Sequence, residues 1–493
     1  MAAKPPFGSS QLRSISPNIL ALTLILATNF SLPAAHAANL YDVRKYGATG
    51  NGVTDDSRAI AQAINLANQR PGSIVYFPAG TYFIGSANPV LKPVSVIMEG
   101  VNNFSSITFG STSYIDLEGT SPAIRNLKLV KNGSTSIVAV QVNNASDYDF
   151  SNDVFTGDWF QDVYVTKSGN GSFSQNQFLT DKLAVQVADQ NNNLTFTNNT
   201  FTGTQRTAYF ITPQNAGGGS VTIVGNTFTN GLLAINSNGD LSGTEVINGN
   251  TFKNVSYGVS AASWKNFTFT GNNLSDVDYG VFESVSQDTM ISGNNIQKPA
   301  KAGLHVSSAL NSATLTNNKI ENISNPDPGL TYGIYCSGCA KTALIQDNVI
   351  SGSSNRPPEY MVYGLNNNDL TVKGNQLSNG NYGIYTPFNV NNHVAGNKIR
   401  QMNAPGIVDE KSTVTMIFNN NDLRNCFKKP NAKYDAMIYV NYQPGVAKPD
   451  FRITNNTYTG SPGDAELFIH TQGNPVQFGN KTNTMLPSQP PQP

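Results

Sequence analysis

Cysteine is scarce in this chain, three in 493 residues, and that excludes a disulfide framework as the source of its stability. Two of the three, Cys336 and Cys339 in CSGC, stand close enough for a tight local bridge and otherwise read as strand and turn residues. As a metal site they supply only half of a tetrahedral zinc shell. Net charge is also absent, with 31 basic and 31 acidic residues, so no overall field draws the protein to nucleic acid or to an anionic membrane. Nor does any long apolar run follow the N-terminus. The single apolar segment, ILALTLILA from Ile19, is preceded by Lys4 and Arg13 and followed by Ala35-His36-Ala37. That order reads as a signal peptide over 1–37 with cleavage after Ala37, so the mature chain is expected to be exported and not held in a membrane.

What the chain has in abundance is a repeat. Asparagine followed by an apolar side chain recurs from NDVF at 152, through NQF, NTF, NNL and NKI, to NTY at 456, and the thirteen apolar anchors run from Phe155 to Tyr458. Most lie 22 to 24 residues apart, the period of a stacked array. A short alternating strand follows each anchor, as in YGVS at 257, YGVF at 279, AGLH at 302 and YGIY at 332. Such rungs leave no room for a helix per repeat. The fold expected is all-β, a single-stranded parallel β-helix whose rungs stack at ~4.8 Å. Like residues then lie over like. The asparagines become a ladder that satisfies backbone groups at a bend, a more economical reading than glycosylation acceptors.

A coil of strands ends in an open edge that needs a cover. Residues 57–69, SRAIAQAINLANQ, place Ala59, Ile60, Ala63, Ile64 and Ala67 on one helical face, with Thr54, Asp55 and Asp56 available to cap it. The glycine-dense KYGATGNGVTDD before it supplies the reversal into that lid. The expected organisation is therefore a cap with the first strands over 38–85, the parallel β-helix over 86–480, and a proline-rich, disordered tail over 481–493.

The stretch VRKYGATGNGVTDDSRAIAQAINLA followed by VYFPAGTYFIG resembles the N-terminal signature of the pectate-lyase-like superfamily over about residues 41–85, with Asn51 where that family more often has aspartate. The resemblance implies a right-handed coil that acts on polysaccharides. It does not extend to a reaction. The NTD, paired-aspartate and GHG set of polygalacturonase-like hydrolases is missing, as is the DPH of alginate epimerases. The R-x-P-x-x-R of pectate lyases is also missing, since Arg356-Pro357-Pro358 runs into Glu359 and Tyr360.

Strand alternation nominates a site. With Val259, Val281, Leu304, Ile334, Leu365 and Ile384 inward, the outer row becomes Ser260, Phe282, His305, Tyr335, Asn366 and Tyr385. Phe282 and Tyr385 are candidate sugar-binding rings. His305 is the candidate base for removing the proton alpha to a uronate carboxylate, Tyr335 the donor to the leaving oxygen, and Glu283 their neighbour. Lys301 or Arg356 would neutralise the uronate. Insertions at NPDPGL (325), NRPPEY (355) and Arg424 to Asp435 are expected to wall the row. The alternative is an aromatic stack without chemistry. A second constellation is the pair Asp158 and Asp181, each three residues past an anchor and expected roughly 5 Å apart, the spacing of a retaining glycosidase; beside it would lie Trp159, Tyr164 and Lys182. Turn residues at that position are the plainer account. Tyr257, Tyr279, Tyr332, Tyr363 and Tyr382 read as an inward core ladder.

No cofactor is evident. Asp327, Glu359, Asp369 and Asp409 are the oxygen ligands available to calcium, and no compact cluster joins them in sequence. Rung counting leaves Cys426 unbridged, and nothing in the sequence sets the oligomeric state. These features together lead to an exported, carbohydrate-active coil that cleaves an acidic, uronate-containing polysaccharide by β-elimination. Glycoside hydrolysis on the same fold, or non-catalytic glycan binding by a surface structural protein, are the alternatives.

Overall fold

The computed structural model describes residues 39–486 except 86, 88, 103, 132–137, 158, 189–192, 215–217, 326–329, 428–433, 435, 442–449, 460–466 and 473–483. The expected signal peptide lies outside the described residues. From Leu40 the chain winds as a parallel β-helix, each strand pairing in parallel with its counterpart one rung away. The rung of Asn273–Ser275, Tyr279–Ser284 and Asp288–Ser292 shows the pattern, with three short strands separated by bends. Leu274 lies beside Ile296, Val281 beside Leu304 and Ile291 beside Leu315. All six are buried at 2% exposure or less, and they fill the lumen.

The asparagine ladder holds one bend together. Asn176 donates its backbone N–H to Asn199 Oδ1 at 2.9 Å, and its Nδ2 donates to the same oxygen at 3.0 Å and to the Phe150 carbonyl at 2.9 Å. The same three bonds recur at Asn199, Asn226, Asn250 and upward to Asn421. The residue before each ladder member has φ between 54° and 68°, which is why Gly, Asn or Asp mostly stands there. At the bottom of the ladder the register corrects the sequence reading. Asp153, not Asn152, holds the ladder position, and Asn152 is the left-handed residue before it. Inside, Phe155, Phe178, Phe201, Phe228 and Phe252 stack at 4.8 to 5.0 Å, the rung spacing itself.

The helix Ser57–Ala67 covers the first rung, burying Ile60, Ala63, Ile64 and Ala67 against the strands Leu40–Asp42, Ile74–Tyr76 and Val90–Leu91. Its acidic start divides the work. Asp55 Oδ1 accepts from Ser57 N and Oγ and from Gly85 N, tying helix to coil. Asp56 turns back instead, accepting from Thr49 N and Gly50 N, and so pins the glycine turn. Gly50, at φ 64°, lies so close to Tyr82 that a Cβ would sit 3.0 Å from its ring. At the far end Thr484–Leu486 pairs with Thr457–Thr459, so the coil reaches into the span expected to be a tail.

Candidate functional site

Two aromatic ladders run along one flank of the coil. In the first, Phe282, His305, Tyr335, Tyr363 and Tyr385 stack ring on ring at 4.5, 4.3, 5.5 and 5.2 Å. Tyr363 is the surprise, because alternation had put Asn366 in this row. The structure aligns Tyr360 with Tyr332, Val362 with Ile334 and Tyr363 with Tyr335, so Val362 and not Leu365 is the inward residue. Asn366 is the left-handed residue of the next bend, at φ 54°. The YG of 363–364 matched the wrong YG in its neighbours, whereas the YMVY of 360–363 keeps the true register.

The second ladder holds four of the tyrosines expected in the core, Tyr257, Tyr279, Tyr332 and Tyr382, with Tyr360 in the place expected of Tyr363. Tyr257 stacks on Tyr279 at 4.9 Å, and Tyr332, Tyr360 and Tyr382 follow at 5.9 and 5.2 Å. They face outward and meet the first ladder edge to face, Tyr279 with Phe282 at 5.7 Å and Tyr332 with Tyr335 at 5.0 Å. At Tyr257, Tyr279, Tyr332 and Tyr382 the cause is the glycine that follows the tyrosine, whereas Tyr360 is followed by the buried Met361. The glycine takes the inward slot at that bend, where a Cβ on Gly280 would lie 2.4 Å from the Gly303 carbonyl oxygen and one on Gly333 2.5 Å from Ile350 Cγ2. With the slot closed to side chains, the tyrosine is turned out. The repeated YG was therefore the signal that could have turned its tyrosines out of the lumen; on that outer side Tyr257, Tyr279 and Tyr360 are half-buried and Tyr332 and Tyr382 are buried by their neighbours.

Burial sets the electrostatics of this flank. Desolvation between its aromatic neighbours pushes the His305 pKa down to about 4, so the imidazole is neutral at pH 7. Lys301, exposed, holds its ammonium 5.7 Å from the Tyr279 ring centre. Glu283 does not join them. It points into the lumen at 0% exposure, where Oε1 accepts from Ser286 N at 3.1 Å, and burial raises its pKa. Alternation is the reason, since Phe282 faces out and its neighbour must face in. Arg356 is exposed on the insertion before Tyr360, where its carbonyl accepts from Asn325 N at 3.2 Å and joins two of the expected wall segments. Residues 326–329 and most of 428–435 lie outside the described residues.

A carboxylate that sequence reasoning missed sits at the upper end. Tyr385 Oη donates to Glu410 Oε2 and Tyr434 Oη donates to Glu410 Oε1 at 3.1 Å. Burial and this acid together raise the Tyr385 pKa. Nothing local in the sequence signals the trio, because its members come from three different rungs.

The Asp158 and Asp181 pair cannot be assembled, since Asp158 lies outside the described residues. Asp181 is exposed and acts as a turn residue, its Oδ1 accepting from Thr204 N at 2.6 Å and its Oδ2 from Thr204 Oγ1 at 2.5 Å. It lines a cleft of about 460 Å³ with Trp159, Leu179 and Lys182, and Trp159 itself is buried beneath the Lys131 ammonium. Of the calcium candidates, Asp327 lies outside the described residues. Glu359 accepts from Asn381 Nδ2, Asp369 is exposed and accepts from Asn391 Nδ2, and Asp409 is enclosed in the lumen with Asn392. Among the described residues no three such side chains cluster as a metal site would need.

The family model described as rhamnogalacturonase A/epimerase, pectate lyase-like, matches residues 40–282, and the model for the right-handed β-helix region matches 279–482. The chain belongs to the pectate-lyase-like superfamily. Among curated relatives of this superfamily member, the plasmin and fibronectin-binding protein A of Streptococcus pneumoniae (strain ATCC BAA-255 / R6) is 37% identical over 84 residues, 15% of this chain and 12% of that protein. Alginate lyase 7 of Azotobacter vinelandii is 36% identical over 61 residues, 12% of this chain and 7% of that protein. The matched stretches thus span about a tenth of those relatives. The solved structure of the pneumococcal surface protein and adhesin PfbA covers 87% of this chain and 99% of its own at 14% identity and a TM-score of 0.37. Among the described residues no helix is long and apolar enough to cross a membrane.

Proposed function

We propose that this protein is exported and binds a polysaccharide lengthwise along its aromatic flank. The observation that carries the reading is the unbroken stack from Phe282 to Tyr385, edged by the tyrosine ladder. Because the rings stack on one another along the axis, the half-buried Phe282, His305, Tyr335 and Tyr363 offer a ligand their edges, while Tyr385 is buried against Glu410. That surface suits a sugar chain, which carries both apolar C–H patches and hydroxyls. The alginate lyase among the relatives agrees with such a ligand. The test is a titration of neutral and uronate-containing polysaccharides against the wild type, Tyr335→Ala and Tyr363→Ala. Loss of one ring contact of about 1–1.5 kcal/mol lowers affinity roughly tenfold. Unchanged affinity in both variants refutes the reading. An N-terminus at Ala38 in secreted protein tests the export.

A second reading keeps cleavage of an acidic polysaccharide by β-elimination, and the neutral His305 stacked on Tyr335 favours it. His305 would take the proton, Tyr335 would serve the leaving oxygen, and Lys301 or Arg356 would meet the uronate, with Glu283 left out because it is inside. Unsaturated products followed by ultraviolet absorbance, lost in His305→Ala with binding retained, support this reading. New reducing ends without unsaturation favour hydrolysis.

A further inference from the structure

One bend recurs behind the aromatic flank. In successive described rungs a residue with positive φ, among them Val285, Ser308, Gly338, Asn366 and Phe388, turns the chain, and at Val285 and Gly338 the residues two before and one after it meet in the lumen. In successive rungs the residues at these places are Glu283 and Ser286, Val306 and Ala309, and Cys336 and Cys339, all buried. Only in the last are both partners able to bond covalently. The two sulfurs lie 3.5 Å apart, both thiols at 1% exposure or less. The backbone around them is clamped from the rung above: Cys339 N donates to Asn367 Oδ1 at 3.0 Å, and Asn367 Nδ2 donates to the Cys336 carbonyl at 3.2 Å. Asn367 is held in turn by Asn389, whose backbone N–H donates to Ser412 Oγ. This second polar ladder ends downward at Cys339.

We propose that Cys336 and Cys339 are a built redox site, which a small-molecule disulfide closes into a structural bridge across the bend that presents Tyr335. The sulfurs need to approach by about 1.5 Å to reach the bonded length, an adjustment of side-chain torsions with the backbone already clamped. One thiolate attacks the oxidant's disulfide and releases one thiol. The second cysteine then attacks the mixed disulfide and releases the other, so two electrons pass to the oxidant and one S–S bond forms. The neighbouring Cys339 sulfur and burial push the Cys336 thiol pKa up, so the enclosed dithiol reacts slowly and the oxidant is supplied during refolding. Among the described residues no helix N-terminus lies against the pair. Cys426, bonded to the Ile399 carbonyl elsewhere, stays a thiol.

The test refolds the full chain with oxidised and reduced glutathione, and separately with dithiothreitol, then counts thiols after denaturation and maps the peptide holding 336–339. The expected result is one thiol against three, with that peptide two hydrogens lighter. In Cys426→Ser the oxidised count falls to zero, and in Cys339→Ser the difference between the two refolding conditions is lost. Three thiols under oxidising refolding overturn the proposal, as does glutathione retained on either cysteine or a bridge to Cys426. These readouts are independent of any glycan.

Discussion

Replacing Asp153 with asparagine changes the one acid in a ladder that is otherwise asparagine from Asn176 to Asn456. Asp153 is fully buried. Its Oδ1 accepts from Leu127 N at 2.9 Å, while its Oδ2 is unpartnered. One rung up, the equivalent Asn176 Nδ2 donates to the Phe150 carbonyl, and Phe150 pairs with Ile124, so the Asp153 oxygen faces the Ile124 carbonyl. Two acceptors face each other unless the acid keeps its proton. Burial raises the Asp153 pKa well above its usual range for this reason. Above the unfolded-state value of about 3.9, the folded chain holds a proton that the unfolded chain has released. Stability from this group is therefore complete below about pH 4 and falls as pH rises towards the folded value, by about 1.4 kcal/mol per unit. Between pH 4 and 7 the ceiling is about 4 kcal/mol. The asparagine escapes that loss and adds bonds to Ile124 and Asn176 worth about 1 kcal/mol. Asp153→Asn should thus exceed the wild type by about 1 kcal/mol at pH 4 and by about 2–5 kcal/mol at pH 7, read from urea unfolding with the same probe at both. The other buried acids titrate in both proteins and cancel. An advantage that does not grow with pH refutes the reasoning.

Glu245, buried beside Ser237 and with its pKa raised by burial to about 8, gives the same sign. Glu245→Gln should gain stability over the wild type as pH rises from 4 to 8, and equal melting curves at pH 9 count against it. His305 has the opposite sense: with its folded pKa lowered to about 4, stability present above pH 6.5 is lost as pH falls, and His305→Asn should flatten that dependence in thermal unfolding between pH 4 and 7. Phe201→Ala, which opens the middle of the phenylalanine stack, should cost about 3–5 kcal/mol in chemical denaturation. Asp181→Asn should cost less than about 1 kcal/mol and leave glycan titrations unchanged, consistent with a turn residue.

The sequence alone determined the coil, because a repeat of short strands without helices buries its apolar faces only by stacking, and the period of the anchors carries that information locally. It also determined the outer positions of Phe282, His305, Tyr335 and Tyr385, which follow from alternation within single strands. Register and direction at the bends belonged to the tertiary structure. Tyr360 replaced Tyr363 opposite Tyr332 because an insertion of unknown path precedes it, and a short shift in such a loop is invisible to periodicity. Tyr279 and Tyr332 turned outward because Gly280 and Gly333 must fit against the side chains and carbonyls of the next rung, a constraint between residues some two dozen positions apart. Glu410 met Tyr385 and Tyr434 for the same reason. Stacking makes neighbours of residues that no local pattern connects.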